Sequence, residues 1–287
     1  MVVDFRRFFI ACMMVLVVVG SISRCPRNLE PLVRNSDIYY FQGVYEDLFV
    51  SGVGLGGWSL QAAPGFMPDM LLFFPIRGVL GDYISSMIVF QLLVILIFFG
   101  LLTMISRSLG VDSVSSVEVS LMTVLGVMIM DNAWDCSIFR FIMIPGYHVG
   151  SVILGLILWL IGFGILSGGG KRLHYISFFT VSLIGAISDP IIIPQFILPT
   201  VISLIVFYLL GLARSKTVIG LSIICLLALA LHQLSYKLFE EYSIFMSRPQ
   251  SYVSASITLG HMVSELLGFL AGAGQEYCSI ATHVLAF

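Results

Sequence analysis

Long apolar stretches dominate the chain, and their lengths determine the architecture that the sequence predicts. The clearest is ISSMIVFQLLVILIFFGLLTMI at 84–105, which exceeds the roughly 20 residues that cross a hydrocarbon core as a helix. Because these stretches are solid rather than alternating, they predict helices and disfavour an outer-membrane barrel. Further spans are predicted at 8–20, 117–130, 141–166, 174–187, 191–213, 217–234 and 252–272.

The pattern predicts an all-α fold, a polytopic transmembrane helix bundle of about seven or eight spans. It divides the chain into three parts. Residues 1–23 are predicted to form a signal anchor and first span, with a cleaved signal sequence as the alternative. Residues 24–83 form a long outer loop with short membrane-surface helices, and residues 84–287 form the helix bundle.

One stretch of the long loop, GWSLQAAPGFMPDMLLFFP at 57–75, is apolar enough to enter a bilayer but contains three prolines. Pro64 and Pro68 interrupt a helix, so this stretch cannot cross the membrane as a single span. Residues 68–82 are predicted to form a short amphipathic helix at the lipid boundary, with Asp69 beside its positive N-terminus.

Composition agrees with a membrane protein. Of the 287 residues, 59% are hydrophobic and 10% charged, whereas about a quarter are charged in a typical soluble domain. The mean hydropathy is +1.04. The net charge of −2 and the lack of a basic patch argue against a nucleic-acid partner.

The charges between the spans predict an orientation. With the N-terminus inside, the short inner segments carry most of the basic residues, as the positive-inside rule requires: Arg6, Arg7, Arg107, Lys171, Arg172, Arg214 and Lys216. The outer segments then hold most of the acidic residues. We therefore expect an integral, multi-pass protein of the bacterial inner membrane with the loop at 24–83 outside.

Polar side chains that could carry chemistry lie on this outer face. Glu46 and Asp47 are either a solvated pair or a general base or metal-held pair that faces a lipid-bound substrate. Trp58 either anchors the loop at the interface or stacks on a sugar ring. Asp189 is predicted to form a turn before Pro190. The candidate substrate-binding residues are Asp37, Trp58, Asp69, Arg77, Asp135, Arg140 and His148.

For two of these candidates the sequence leaves plain alternatives open. Asp69 could simply cap the predicted surface helix. His148 is either an interfacial histidine or a catalytic or phosphate-binding one.

The order of these features resembles the GT-C superfamily, polytopic glycosyltransferases that use polyprenyl-phosphate-linked sugars. Tyr45-Glu46-Asp47-Leu48 matches the acidic pair in the first outer loop of that family, and the likeness in architecture covers residues 1–235. GWSLQAAPGFMPDMLLFFP, PGYHVG and SDPIIIPQF also look like stretches in uncharacterised bacterial membrane proteins of this type. The chain departs from the family in being shorter and in having no large soluble domain after the spans.

The resemblance implies a reaction and its participants. Asp47 or Glu46 would deprotonate an acceptor hydroxyl while the lipid phosphate leaves the donor sugar. A divalent cation, or a basic side chain such as Arg77 or Arg140, would stabilise the charge of the departing phosphate. The expected partners are membrane lipids and a polyprenyl-phosphate-linked sugar.

Two other functions fit the sequence. A transporter or flippase is favoured by the helix break at Ser188-Asp189-Pro190, by Pro194 and Pro199, and by a polar stripe within 254–265. A non-catalytic membrane subunit with a larger membrane partner is favoured by the length of the chain.

Overall fold

The computed structural model describes residues 36–56, 58–61, 63–133, 148–169, 171–211, 215–242 and 244–246. Within these ranges the regular secondary structure is helical except for one parallel pairing of two-residue strands, β1 (Ser59–Leu60) with β2 (Phe245–Met246). The predicted all-α class is therefore confirmed for the described residues.

The loop before the long helices is folded. Helix α1 (Ser36–Tyr45) runs into a π-helical turn, Glu46–Val50. A kinked segment, Phe66–Met70, in which Met67 is extended, leads into helix α2 (Leu71–Leu80), so the short helix predicted within 68–82 is confirmed. Gly81 ends α2 with a φ of 68°, a left-handed conformation that favours glycine.

Six longer helices follow among the described residues. They are α3 (Tyr83–Ser108), α4 (Ser113–Ala133), α5 (Val149–Gly164), α6 (Arg172–Ser188), α7 (Leu198–Leu209) and α8 (Ser215–Glu241). The Asp82 side chain caps α3 by accepting a hydrogen bond from the Ser85 amide at 2.7 Å. A π-helical turn, Ile165–Gly169, extends α5, and another, Ile193–Ile197, precedes α7.

In the part of the chain that the structure describes, three helical segments are long and apolar enough to cross a membrane: Tyr83–Ser108, Val149–Ser167 and Lys216–Phe239. Shorter apolar helical segments lie at Ser113–Val127 and Ile193–Leu209. These segments support a membrane protein, while the total of seven or eight spans stays a prediction. The predicted spans at 8–20 and 252–272, and the first part of the one at 141–166, lie outside the described residues.

Glycines let the second half of the bundle pack closely. A Cβ atom on Gly155 of α5 would lie 2.2 Å from the Phe196 ring, and one on Gly185 of α6 would lie 2.6 Å from Ile192. Phe196 and Ile192 belong to the apolar core shared by α5, α6, α7 and α8. Residues 192–196 are therefore held against the helices that precede them in the chain.

The helix bundle has two distinct ends. The end that carries residues 36–82, here called the loop end, also holds the N-termini of α3 and α5 and the C-termini of α6 and α8. Gly65 donates a hydrogen bond to the Ser188 carbonyl at 2.9 Å, and the Phe66 ring lies 5.9 Å from that of Phe239. The opposite ends of these helices carry basic residues, and we call this the basic end: Arg107, Lys171, Arg172 and Lys216.

Candidate functional site

A histidine and an aspartate from different helices meet at the loop end. His148 directly precedes α5 in a left-handed conformation with a φ of 59°, and Asp189 directly follows α6. His148 Nδ1 lies 2.8 Å from Asp189 Oδ2, with side-chain exposures of 22% and 6%. Because an ionised carboxylate only accepts, Nδ1 carries the shared proton, and Nε2 is left to accept another one.

A second carboxylate, that of Asp69, lies beside this pair. Asp69 is 2% exposed and packs against the first turn of α5, where a Cβ atom on Gly150 would lie 2.6 Å from Asp69 Oδ1. The positive end of the α5 dipole favours a carboxylate at this position. We refer to Asp69, His148 and Asp189 as the junction site, since they come from three separate segments.

The charges of the junction site act on the imidazole. Burial by itself would lower the pKa of His148, whereas the hydrogen bond and charge of Asp189 raise it. The charge of Asp69 adds to this effect, and the net result is a pKa of His148 above the ordinary 6.5. His148 therefore holds its proton more strongly than a solvated histidine does.

The acidic pair singled out in the sequence lies in a different group of side chains. We call Gln42, Glu46, Asp47, Trp58 and Arg77 the loop cluster. Arg77 of α2 contacts Glu46 at 3.1 Å and donates to the Gln42 side chain at 2.9 Å. Asp47 accepts a hydrogen bond from the Trp58 indole at 2.8 Å. These contacts join α1, its π-helical turn, Trp58 and α2.

The contacts of the loop cluster give Arg77 a structural role. Its guanidinium also lies over the Tyr45 ring, 5.3 Å from the ring centroid. The Arg77 and Glu46 side chains are 12% and 37% exposed. A partly exposed ion pair of this kind contributes at most about 1 kcal/mol to stability.

The structure thus divides the predicted site residues into two groups. Glu46, Asp47, Trp58 and Arg77 lie in the loop cluster, and Asp69 and His148 lie in the junction site. Asp37 belongs to α1, while Asp135 and Arg140 lie outside the described residues. Among the residues that the structure describes, no group of three or more histidine, cysteine, aspartate or glutamate side chains could hold a metal ion.

Asp189 was not among the site residues predicted from the sequence, which gave it the role of a turn former. The predicted turn is present, because Asp189 Oδ1 accepts a hydrogen bond from the Ile191 amide at 3.2 Å. The other oxygen of the same carboxylate binds His148. The signal that could have revealed this contact is that PGYHVG and Ser188-Asp189-Pro190 are both predicted to lie on the outer face of the membrane.

Comparisons with known proteins add no assignment to this geometry. No protein-family model, no curated protein and no solved structure matches the chain. The functional assignment therefore depends on the chemistry of the two groups of side chains and on their place in the bundle.

Proposed function

We propose that the chain is an integral membrane enzyme similar to the polyprenyl-phosphate-dependent glycosyltransferases, with its reactive groups in the junction site. The observation that carries this proposal is the His148–Asp189 pair beside the buried Asp69 carboxylate. The pair lies at the start of the helical segment Val149–Ser167, which is long and apolar enough to cross a membrane. The phosphate and sugar of a lipid-linked substrate lie at the membrane surface, which is where a membrane-spanning helix ends.

The geometry supports general-base chemistry. Asp189 holds His148 through Nδ1, so Nε2 is the nitrogen that takes the proton of an acceptor hydroxyl. The hydroxyl oxygen forms a bond to the anomeric carbon of the donor sugar. The bond between that carbon and the phosphate oxygen breaks, and its electron pair leaves with the lipid phosphate. Asp189 stabilises the imidazolium that forms, and Asp69 adds a second negative charge nearby.

The acidic pair remains an alternative source of the base. Asp47 or Glu46 would take the same proton, as the resemblance to the GT-C superfamily implies. In the structure, however, Asp47 binds the Trp58 indole, and Glu46 binds Arg77. These contacts favour a role in holding the loop together. They also occupy the Arg77 guanidinium, which argues against its binding a substrate phosphate.

We further propose seven or eight spans in the bacterial inner membrane, and the charge distribution supports the orientation of that bundle. Arg107, Lys171, Arg172 and Lys216 lie at the basic end, and the positive-inside rule favours the cytoplasm for that end. The junction site and residues 36–82 would then face outward.

A transporter or flippase is the second candidate. Helix α6 ends at Ser188, the chain turns at 189–192, and a π-helical turn with Pro194 precedes α7. This interruption lies beside the junction site, and broken helices at a substrate site are typical of transporters.

Reconstitution of the full chain in lipid vesicles tests the proposal. Labelled polyprenyl-phosphate sugars are supplied with acceptor lipids, and both transferred sugar and intact donor moved across the bilayer are measured. We expect the wild-type chain to transfer sugar and His148→Gln to lower the rate about 100-fold or more. His174→Gln, in the first turn of α6 at the basic end, is the matched control and should keep full activity.

Two results would count against an enzyme. Movement of intact donor without release of its sugar would assign a flippase. Equal transfer by wild-type and His148→Gln protein would remove the junction site from the reaction.

A further inference from the structure

Ser188 fastens the segment that carries Asp69 to the end of α6. Its hydroxyl accepts a hydrogen bond from the Met67 amide at 2.8 Å and donates one to the Met67 carbonyl at 2.7 Å. Its own carbonyl accepts a hydrogen bond from the Gly65 amide at 2.9 Å. Three hydrogen bonds therefore connect one residue, itself 1% exposed, to the backbone at 65–67.

We propose that Ser188 is a positioning residue, which places the Asp69 carboxylate beside the His148–Asp189 pair. Ser188 and Asp189 are consecutive, so the same end of α6 binds His148 with one side chain and the Asp69 segment with the other. Asp69 follows Met67 by two residues and has little freedom once Met67 is fixed. Gly150 completes the arrangement, because its missing side chain leaves room for the carboxylate against α5.

This placement has an electrostatic consequence at His148. The charged groups of the described residues that act on His148 are Asp189, from α6, and Asp69, from the segment before α2. Loss of the Ser188 hydroxyl removes both side-chain bonds to Met67, so Asp69 is held less closely. The imidazole then loses part of its attraction to the Asp69 carboxylate, while its hydrogen bond to Asp189 remains.

Titration of His148 tests the placement without any measurement of activity. The chain has five histidines, so modification by diethyl pyrocarbonate, which reacts with the neutral imidazole, is followed at the His148 peptide by mass spectrometry. We expect Ser188→Ala to lower the titration midpoint of His148 by roughly half a pH unit to one unit. Ser182→Ala, at another fully buried serine of α6, is the matched control and should keep the wild-type midpoint.

A double variant shows whether Ser188 acts through Asp69. Asp69→Asn alone should lower the His148 midpoint, and Ser188→Ala should lower it no further in that background. An undiminished effect of Ser188→Ala in the Asp69→Asn background would overturn the proposal, as would a wild-type midpoint in Ser188→Ala. Should Ser188→Ala fail to fold, Ser188→Cys replaces it, and its weaker hydrogen bonds should give a smaller fall in the same direction.

The positioning by Ser188 contributes to a reaction only if the proposed function is right, but the titration of His148 tests the positioning itself separately. A chain that transfers no sugar yet shows the coupled titration would retain the positioning role of Ser188. A chain in which His148→Gln abolishes transfer but Ser188→Ala leaves the titration unchanged would retain the function and lose this inference.

Discussion

The imidazole of His148 and the carboxylate of Asp189 lie 2.8 Å apart although 41 positions separate the two residues in the chain. Their bond joins the start of α5 to the end of α6 at the loop end of the bundle. Hydrogen bonds to a charged partner contribute more to stability than neutral ones. We therefore expect this contact to stabilise the fold as well as to orient the imidazole.

Asp189→Asn should destabilise the protein by about 1–3 kcal/mol, because the half-buried imidazole loses its charged partner. Unfolding in mixed detergent micelles, with denaturant titration followed by fluorescence, measures this free energy. Asp112→Asn is the control, since Asp112 caps α4 through the Val114 and Ser115 amides at 3.1 Å and asparagine caps equally well. Equal losses for the two variants would show that the His148 contact contributes nothing.

Gly150→Ala should destabilise the protein by about 1–3 kcal/mol through overpacking. The new methyl group would lie 2.6 Å from Asp69 Oδ1 and 2.8 Å from Pro68 Cδ, so the Asp69 segment must move. Gly100→Ala in α3 provides the comparison, because a Cβ atom there meets nothing within 4 Å and alanine favours a helix. A neutral or stabilising Gly150→Ala would mean that Asp69 does not pack against α5.

Stability should depend on pH through His148. The folded state raises the pKa of His148 above 6.5, so its contribution to stability is fully present below that value and is lost as the pH rises through the folded pKa. The difference in unfolding free energy between wild-type and His148→Gln protein isolates this contribution from other titrating groups. It should shrink as the pH rises from about 6.5 through the folded pKa of His148, and a difference that grows with pH would reverse the assigned sign.

Cysteine labelling tests the orientation in the membrane. Val79 in α2 at the loop end is 84% exposed, and Leu173 in α6 at the basic end is 70% exposed. In a background without native cysteines, Val79→Cys should react with an impermeant maleimide in intact cells, whereas Leu173→Cys should react only after permeabilisation. The opposite pattern would invert the proposed topology.

Local patterns in the sequence were enough to predict much of the fold. Solid apolar runs predicted helices at 84–105 and 217–234, and both lie within helices that can cross a membrane. The positions of proline and glycine predicted the short helix before α3, which the structure places at Leu71–Leu80. These features depend on neighbours along the chain, which periodicity and backbone propensity describe well.

The junction site could be predicted only in part, because it depends on contacts between distant segments. The sequence left Asp69 as either a helix cap or a substrate-binding residue, and it did not predict that its carboxylate is buried against α5. Ser188 contacts Met67 across 121 positions, and no local pattern indicates such a pairing. Glu46 and Asp47 stood out as an acidic pair, yet their partners Arg77 and Trp58 come from later segments of the loop.

The central claim is that the reactive groups belong to the junction site, and the transfer assay with two matched variants tests it most directly. Asp189→Asn and Asp47→Asn each neutralise one carboxylate at the loop end without changing its size. We predict that Asp189→Asn loses about 100-fold or more of the sugar-transfer rate while Asp47→Asn retains most of it. Loss of transfer in Asp47→Asn with full transfer in Asp189→Asn would contradict the claim and assign the base to the loop cluster.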